Sequence, residues 1–536
     1  MTTAPWPRTV LLLAWAAVTL PWLWPWAPPP SPSVPGLLAT WVFTALLGAV
    51  LLRSAHTGRA EMSPRPLVVL LGLLAWAAWR MPVLDLALLG GLAGSVLCVA
   101  VAAQCATRAP MRMIHHVCWG MLTAALISAG IAGLQYSGLL HQPHPVLSWL
   151  HASPNEEAYG QLRQRNQFGS LMCLGLAAWM FLAHTCAASR VWRATAWISL
   201  GVLTLGAVAS TSRTGALTWL GLCVITLAWS RHARLQSHTG LRQGAVAALL
   251  GFLILSWWLP NLASSLGSGE LPKVSAFERL VAQPEGLGVC ESRVVLWRHV
   301  LELSLQRPWL GWGWGELDFA HATQSIDGPR FCAQLGHAHN LLLHLMVEWG
   351  WPLTVLGLAG MLVWVRRHPP WRARSPAAVL GWSWLMVIGL HSLLEFPLWY
   401  GPFQLTLGLA IGLITSQNPA AQAARPYAQF APWMPRLVVA WGACCLWASW
   451  DYHRVSQVFQ PEDMRSSACR YLPYDCLDEV VWFHQGRDFA RLRLAIQSDD
   501  PQQARELAQR VVHYAPEPWV LPWWSAPTRA QEPRAP

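Results

Sequence analysis

The chain has 536 residues, of which 54% are hydrophobic and only 12% charged, roughly half the usual charged share, and this excludes an ordinary soluble globule. The formal net charge of +11 does not point to nucleic acid. The basic residues fall in short clusters between apolar runs, where they set membrane orientation.

Apolar runs of roughly 17 to 25 residues, each able to cross a hydrocarbon core of about 30 Å, recur along most of the chain. They lie at 9–26, 33–52, 66–80, 83–104, 114–139, 167–186, 194–210, 214–230, 243–260, 341–365, 376–396, 402–416 and 435–451. The pattern predicts an all-α polytopic integral membrane protein with thirteen transmembrane helices. The first run lacks a small-residue cleavage site and leads into Pro28-Pro29-Pro30, so it reads as a retained helix. Arginines cluster at Arg53, Arg59 and Arg65, at Arg108 and Arg112, at Arg190 and Arg193, at Arg231, Arg234 and Arg242, and at Arg366, Arg367, Arg372 and Arg374. These clusters occupy alternate loops, so the positive-inside rule puts the N-terminus in the cytoplasm and the C-terminal tail outside.

The expected organisation is nine helices over 1–260, a large outer loop over 261–340, four helices over 341–455, and a small outer helical region over 456–536. Four of the twelve cysteines, Cys290, Cys332, Cys469 and Cys476, fall in the two outer regions. Their placement suits disulfides in an oxidising compartment, Cys290 with Cys332 and Cys469 with Cys476, the alternative being free thiols.

In chain order, the first stretch carrying chemistry is Gln161-Leu162-Arg163-Gln164-Arg165-Asn166-Gln167-Phe168, where an outer loop enters a helix. Arg213 follows in the short outer turn Ser210-Thr211-Ser212-Arg213-Thr214-Gly215. Positive charge on the outer side departs from the orientation rule, and guanidinium forks pair with phosphate oxygens through two hydrogen bonds. The plainer alternative is an arginine bonded to loop carbonyls. The large loop opens on a polar connector, 261–269, and then shows helical periodicity over Glu291–Gln306, which brings in Arg293 and Arg298. Arg307-Pro308 ends that helix. Gly311-Trp312-Gly313-Trp314-Gly315 reads as a turn with interfacial tryptophans rather than a phosphate loop.

Gly336-His337-Ala338-His339-Asn340-Leu341 is the leading reactive centre, because an imidazole at the water boundary can take a proton from an incoming alcohol. Asn340 suits the cap of a helix starting at Leu341. His337 and His339 could share a metal, but no further ligand cluster accompanies them, so no metal is expected. Glu348, four residues after His344, could orient a histidine or pair with an arginine. His391-Ser392-Leu393-Leu394-Glu395-Phe396-Pro397-Leu398-Trp399-Tyr400 returns to the outer face, as a further substrate contact or as a kinked helix end with an aromatic belt. In the tail, Pro501–Tyr514 reads as an amphipathic helix with Ala504, Leu507, Val511 and Val512 on one side, and the chain from Ala515 on as irregular.

Taken together, Arg165-Asn166-Gln167, Ser212-Arg213-Thr214-Gly215, the Arg293 helix running to Pro308-Trp309-Leu310-Gly311-Trp312-Gly313, and His337-Ala338-His339-Asn340 with Glu348-Trp349-Gly350 resemble the O-antigen ligase and polymerase superfamily. Within it, the His391 to Tyr400 stretch and the outer C-terminal region are similar to bacterial protein O-oligosaccharyltransferases of the PglL type. Ligases share His, then Asn, nine residues, Gly, two residues, and Gly, Thr or Tyr. Here His339, Asn340 and Gly350 match and Leu353 departs.

The resemblance implies a GT-C-like, metal-independent and cofactor-free glycosyltransferase of the bacterial inner membrane with its site facing the periplasm. It implies an undecaprenyl-pyrophosphate-linked glycan as donor and an exported protein as acceptor, with membrane lipid but no nucleic acid as partner. Carried onto this sequence, His339 would be the base and Arg165 and Arg213 would hold pyrophosphate. The residues themselves add Arg163 and Arg293 as phosphate candidates, His337 and Glu348 beside the base, and Asn340, His391, Glu395 and Tyr400 as further substrate contacts. The rival readings are a ligase acting on lipid A core, an O-antigen polymerase, and a lipid-linked glycan transporter.

Overall fold

The structure is a computed structural model and describes residues 7–54, 65–107, 109–143, 147–155, 157–186, 189–230, 239–265, 275–281, 290, 292–333, 335–373, 375–416 and 434–525. Arg59, Arg108, Arg231, Arg234 and Arg374, and the connector beyond Ser265, lie outside the described residues.

The described regular structure is helical. Nine helices precede the large loop: α1 Arg8–Thr19, α2 Val34–Ser54, α3 Arg65–Arg80, α4 Leu86–Thr107, α5 Met111–Tyr136, α6 Arg165–Thr185, α7 Arg190–Ala209, α8 Arg213–Ser230 and α9 Thr239–Ser265. The loop carries α10 Ala276–Val281, α11 Arg293–Gln306, α12 Leu317–Thr323 and α13 Leu341–Trp349. Then come α14 Trp351–Arg367, α15 Pro376–Ser392, α16 Gly401–Thr415 and α17 Met434–Gln457. Among the described residues, α2, α4, α5, α6, α7 and α9 are long and apolar enough to cross a membrane, and α1, α3, α15 and α16 are shorter apolar helices. Over its described residues the chain is an all-helical polytopic membrane protein.

At the centre of the bundle stands α6, in which every residue from Gln167 to Ala183 is buried. An all-apolar helix can be a core helix or a lipid-facing span, and this one is a core helix, with α5, α7, α8 and α15 all packed against it. Small residues bring the backbones together, as lipid tails give helices no hydrophobic reason to associate and close packing must do so. A Cβ on Gly408 of α16 would lie 2.5 Å from the Val99 carbonyl of α4. The buried indoles of Trp179, Trp219 and Trp384 each donate to a carbonyl of a neighbouring helix, those of Ala196, Ala248 and Leu174, at 2.8 to 3.1 Å. No indole N–H of these three is left dry in the core.

The run expected as one span at 341–365 is broken. Gly350 has φ +84°, and a Cβ there would sit 2.5 Å from the Trp309 carbonyl. The segment from Pro308 to Gly313 runs alongside the break: Trp351 N–H donates to Pro308 O at 2.8 Å, Trp312 N–H to Val347 O at 2.8 Å and Gly313 N–H to Glu348 O at 3.0 Å. The short α13 therefore packs against α11 as part of the loop's own core of Leu296, Val300, Leu303, Trp312, Leu317 and Val347. Only α14 continues as an apolar helix, with Val355, Leu356, Met361, Leu362 and Val363 exposed.

The loop helix expected over Glu291–Gln306 starts at Arg293, capped by the Ser292 side chain. Cys290 is joined to Cys332 and Cys469 to Cys476. The tail folds into short helices α18 Ser467–Tyr471, α19 Pro473–Asp478, α20 His484–Gln497, α21 Pro501–Val511 and α22 Leu521–Ser525. Thus α21 ends three residues earlier than expected, and the stretch after Ala515, expected to be irregular, contains one more helical turn. Leu492, Ala504, Leu507 and Val511 form this module's core. It docks on the large loop through His513, whose Nδ1 lies 2.8 Å from Glu316 Oε2 and whose ring stacks on Phe319 at 4.1 Å.

Candidate active site

Glu395 lies just beyond the end of α15, and its carboxylate gathers side chains from three other parts of the chain. Asn166 Nδ2, at the start of α6, donates to its Oε1 at 2.8 Å. Arg293, the first residue of α11, donates to the same oxygen through Nη2, and His339 Nδ1 lies 2.6 Å from Oε2. The carboxylate is buried. Burial alone would raise its pKa, but the hydrogen bond from His339 and the charge of Arg293 outweigh it and hold the carboxyl below its ordinary value. Glu395 is thus an ionised acceptor, and the hydrogen on His339 belongs on Nδ1. Nε2 makes no hydrogen bond among the described residues, so in the neutral ring its lone pair is free.

Local structure fixes the imidazole from behind. His339 has φ +49°, a left-handed conformation that non-glycine residues rarely adopt and that costs energy unless its surroundings enforce it. Next to it, Asn340 Oδ1 accepts from Leu342 N and Leu343 N at 3.0 and 3.2 Å, capping α13 as expected, while its Nδ2 donates to Leu393 O at 3.1 Å. The cap and the crosslink pin the residues on both sides of the His339–Glu395 contact. The disulfide at Cys290, three residues before Arg293, and at Cys332, seven before His339, ties the two loop segments together.

The Arg213 turn is built on the same scaffold. Ser212 Oγ donates to Asn166 Oδ1 at 2.7 Å and accepts from Gly215 N at 2.9 Å, so the residue that supports Glu395 also holds the turn bearing Arg213. Gly169 and Gly215 allow α6 and α8 to touch here, a Cβ on either falling 3.1 to 3.2 Å from the other's Cα. Arg213 is exposed, and Arg293, Arg165 and Glu395 all lie within electrostatic reach of it. Arg165 pairs with Glu157 at 2.7 Å.

Other expected residues sit elsewhere. Arg163, with φ +59°, donates to the backbone carbonyls of Ala27 at 3.0 Å and Pro25 at 3.3 Å, bracing the turn after α1 rather than joining the arginine cluster. Glu348 is buried, accepts from Gly315 N at 3.1 Å and lies 3.4 Å from His344 Nε2. His337 packs against Phe396, Trp399 and His344. Burial, with the neighbouring His344 and His339, pushes its pKa well below the usual value, so it stays neutral. His391 is buried beneath the site, with Nδ1 2.9 Å from Ser170 Oγ, and Tyr400 stacks on Phe396 at 5.9 Å as the residue capping α16.

Two features were missing from the sequence reading: the hub role of Glu395, and Arg279 on α10. Arg279 Nη1 donates to Thr211 Oγ1 at 3.3 Å, and its carbonyl accepts from Arg213 Nη1 at 3.5 Å. Among the described residues no group of three or more His, Cys, Asp or Glu side chains is placed to hold a metal ion. The arrangement offers a carboxylate-oriented imidazole whose carboxylate also holds Arg293 and lies within electrostatic reach of Arg213, which suits proton abstraction from an alcohol beside an anionic leaving group.

Residues 196–358 match the family described as O-Antigen ligase, and residues 379–529 match that described as Virulence factor membrane-bound polymerase, C-terminal. The first match contains Arg213, Arg293, His339 and Asn340, and the second contains His391, Glu395 and Tyr400. The chain is similar to a General O-oligosaccharyltransferase of Acinetobacter baylyi (strain ATCC 33305 / BD413 / ADP1), 25% identical over 427 residues, which cover 76% of this chain and 70% of that protein. It is also similar to a ComP-specific O-oligosaccharyltransferase of the same organism, 22% identical over 271 residues, 50% of this chain and 45% of that protein. The resemblance to the O-antigen ligase and polymerase superfamily, and to O-oligosaccharyltransferases within it, is shown by these matches.

Proposed function

We propose that the protein is an inner-membrane O-oligosaccharyltransferase that moves a glycan en bloc from undecaprenyl pyrophosphate to serine or threonine hydroxyls of exported proteins. In this reading thirteen spans cross the membrane, the tenth of them cut back to α14, with the N-terminus in the cytoplasm, and the large loop, α13 included, and the tail module lie in the periplasm. The donor's pyrophosphate rests against Arg213 and Arg165, and the acceptor hydroxyl approaches His339.

The acceptor O–H gives its proton to His339 Nε2 as its oxygen bonds to the anomeric carbon. The bond from that carbon to the phosphate oxygen breaks in the same displacement, and the electron pair leaves with the pyrophosphate, where the guanidinium groups meet the developing charge. Glu395 keeps the imidazole in the Nδ1–H form and stabilises the imidazolium that results, the role of the third member in a nucleophile, base and orienter arrangement. One displacement inverts the anomeric centre. Each preorganised charge contact lowers the barrier by about 3 kcal/mol, and the base contributes roughly 100- to 10,000-fold.

The single observation that carries the reading is the 2.6 Å contact between His339 Nδ1 and Glu395 Oε2, made on a carboxylate that Arg293 also holds. The names of the two relatives favour a protein acceptor over lipid A core. The test is transfer by the purified protein in detergent, with lipid-linked glycan and two acceptors offered separately. A glycan mass shift on an exported protein supports the proposal. A ladder on lipid A core with no protein product would make the chain a ligase or polymerase, and no transfer to either acceptor would favour a transporter.

A further inference from the structure

We propose that Arg279, carried by α10, is a third phosphate ligand of the donor site, and that Glu157 occupies the phosphate position until the donor arrives. This deepens the transferase reading and rests on it.

Three guanidinium groups from separate segments are held in one place: Arg165 at the start of α6, Arg213 at the start of α8, and Arg279 on a helix of the large loop. Arg279 and Arg213 are anchored through a hydroxyl and a carbonyl, and Arg165 through the Glu157 carboxylate. Arg279 is tied to Thr211 Oγ1 at 3.3 Å, and Arg213 reaches the Arg279 carbonyl at 3.5 Å. Thr211 itself has φ +48°, so the turn under these arginines is held in a conformation that a relaxed chain avoids.

The loop helix is not placed by chance. Ser275 and Glu278 form a reciprocal cap, with Ser275 N–H donating to Glu278 Oε2 at 2.9 Å and Glu278 N–H to Ser275 Oγ at 3.1 Å. Ala276 is buried, and the Phe277 ring meets Phe252 of α9 edge-on at 6.2 Å. The following residue but one, Arg279, is therefore aimed by packing on one side and capping on the other.

Like charges gathered this way repel. Arg165 and Arg213 both disfavour the charge on Arg279, and Glu157 favours it. Glu157 Oε1 also lies 2.7 Å from Arg165 Nη1, so one half-exposed carboxylate faces two of the three cations. Among the described residues that leaves more positive than negative charge here, which an anion with several oxygens would relieve, and planar guanidinium forks match phosphate oxygens two at a time. A carboxylate is the protein's own nearest substitute for a phosphate. Donor entry would displace Glu157 from Arg165 and bring Arg279, and with it α10, onto the pyrophosphate.

The two residues make opposite predictions, which a merely structural role would not. With the full-length protein in detergent, direct binding of undecaprenyl pyrophosphate, and competition of transfer by inorganic pyrophosphate, would be measured for each variant. Arg279→Gln is expected to weaken binding and raise the donor KM by roughly 10- to 100-fold, the worth of one charge-assisted contact, with the acceptor KM unchanged. Arg279→Lys should recover part of the loss, and Glu157→Gln should tighten binding. Wild-type binding by Arg279→Gln would overturn the assignment of Arg279, and weakened binding by Glu157→Gln would make Glu157 a brace instead of a placeholder. If Arg165→Gln and Arg213→Gln lose binding while Arg279→Gln does not, this inference fails and the transferase reading stands. If all three bind as the wild type does, the pyrophosphate site itself is misassigned.

Discussion

His339 and Glu395, 56 residues apart in sequence, meet through a contact of 2.6 Å between Nδ1 and Oε2. That contact decides which nitrogen can act. Nδ1 carries the hydrogen toward an ionised carboxylate, and the lone pair on Nε2 is left for the acceptor. Glu395→Gln keeps the shape but can present an amide N–H to Nδ1, which favours the wrong tautomer. Transfer is expected to fall by roughly 100- to 10,000-fold with expression and membrane insertion unchanged. A steady-state rate near that of the wild type would remove Glu395 from the mechanism.

The acid limb of the pH profile should depend on Arg293. Burial raises the Glu395 pKa, and the His339 hydrogen bond and Arg293 charge lower it to a net position below the ordinary value. Removing the guanidinium in Arg293→Gln takes away one of the lowering causes, so the carboxylate gains its proton at higher pH and the acid limb moves upward. Rates of transfer measured between mildly acidic and neutral pH would show the displacement. An acid limb that does not move would mean that Arg293 acts on the substrate alone.

Gly350 is predicted to be intolerant of a side chain. Its φ of +84° and the Trp309 carbonyl 2.5 Å from an added Cβ both oppose alanine, and left-handed strain alone costs about 1–3 kcal/mol. Gly350→Ala should lower the Tm in detergent and reduce transfer together, because the α13 break positions the segment beginning at Asn340. An unchanged Tm would show that the break can be made another way.

The disulfide joining Cys290 to Cys332 closes a sequence separation of 42 residues, for which chain-entropy arguments give about 4 kcal/mol of stabilisation. Replacing both cysteines with serine should loosen the loop locally, seen as faster hydrogen exchange over 292–306, and should lower the rate by freeing Arg293. Exchange equal to that of the wild type in that helix would place the loop's rigidity in its apolar core instead.

Most of the helices were legible because an apolar run long enough to cross a bilayer leaves few alternatives. The break at Gly350 is not read from the sequence, since Leu341 to Val365 is apolar enough overall to pass for one span despite Glu348 and Gly350, and the residues that hold the turn lie far earlier, at Pro308 to Gly313. Likewise His339 and Arg213 stood out by type and place, whereas type and place did not separate Arg163 from Arg165, which the resemblance alone singled out: two positions part them where a loop enters α6, and the fold sends one to the carbonyls of Pro25 and Ala27 and the other toward Glu157. Arg279 carried no signal, being one arginine in a hydrophilic loop. Glu395 was named as a contact, but its central role depends on Asn166, Arg293 and His339 arriving from three distant segments, which no local pattern encodes. From its spacing to His344, Glu348 reads as able to orient a histidine or pair with an arginine, and that spacing does bring those two together.

The account turns on the Nε2 lone pair of His339 taking the acceptor's proton. The most direct measurement is single-turnover transfer by purified wild-type protein and His339→Ala, each preloaded with lipid-linked glycan, with donor binding recorded in the same samples. The account predicts that His339→Ala binds donor as the wild type does and transfers no glycan. Transfer by His339→Ala at a rate comparable to the wild type would contradict it.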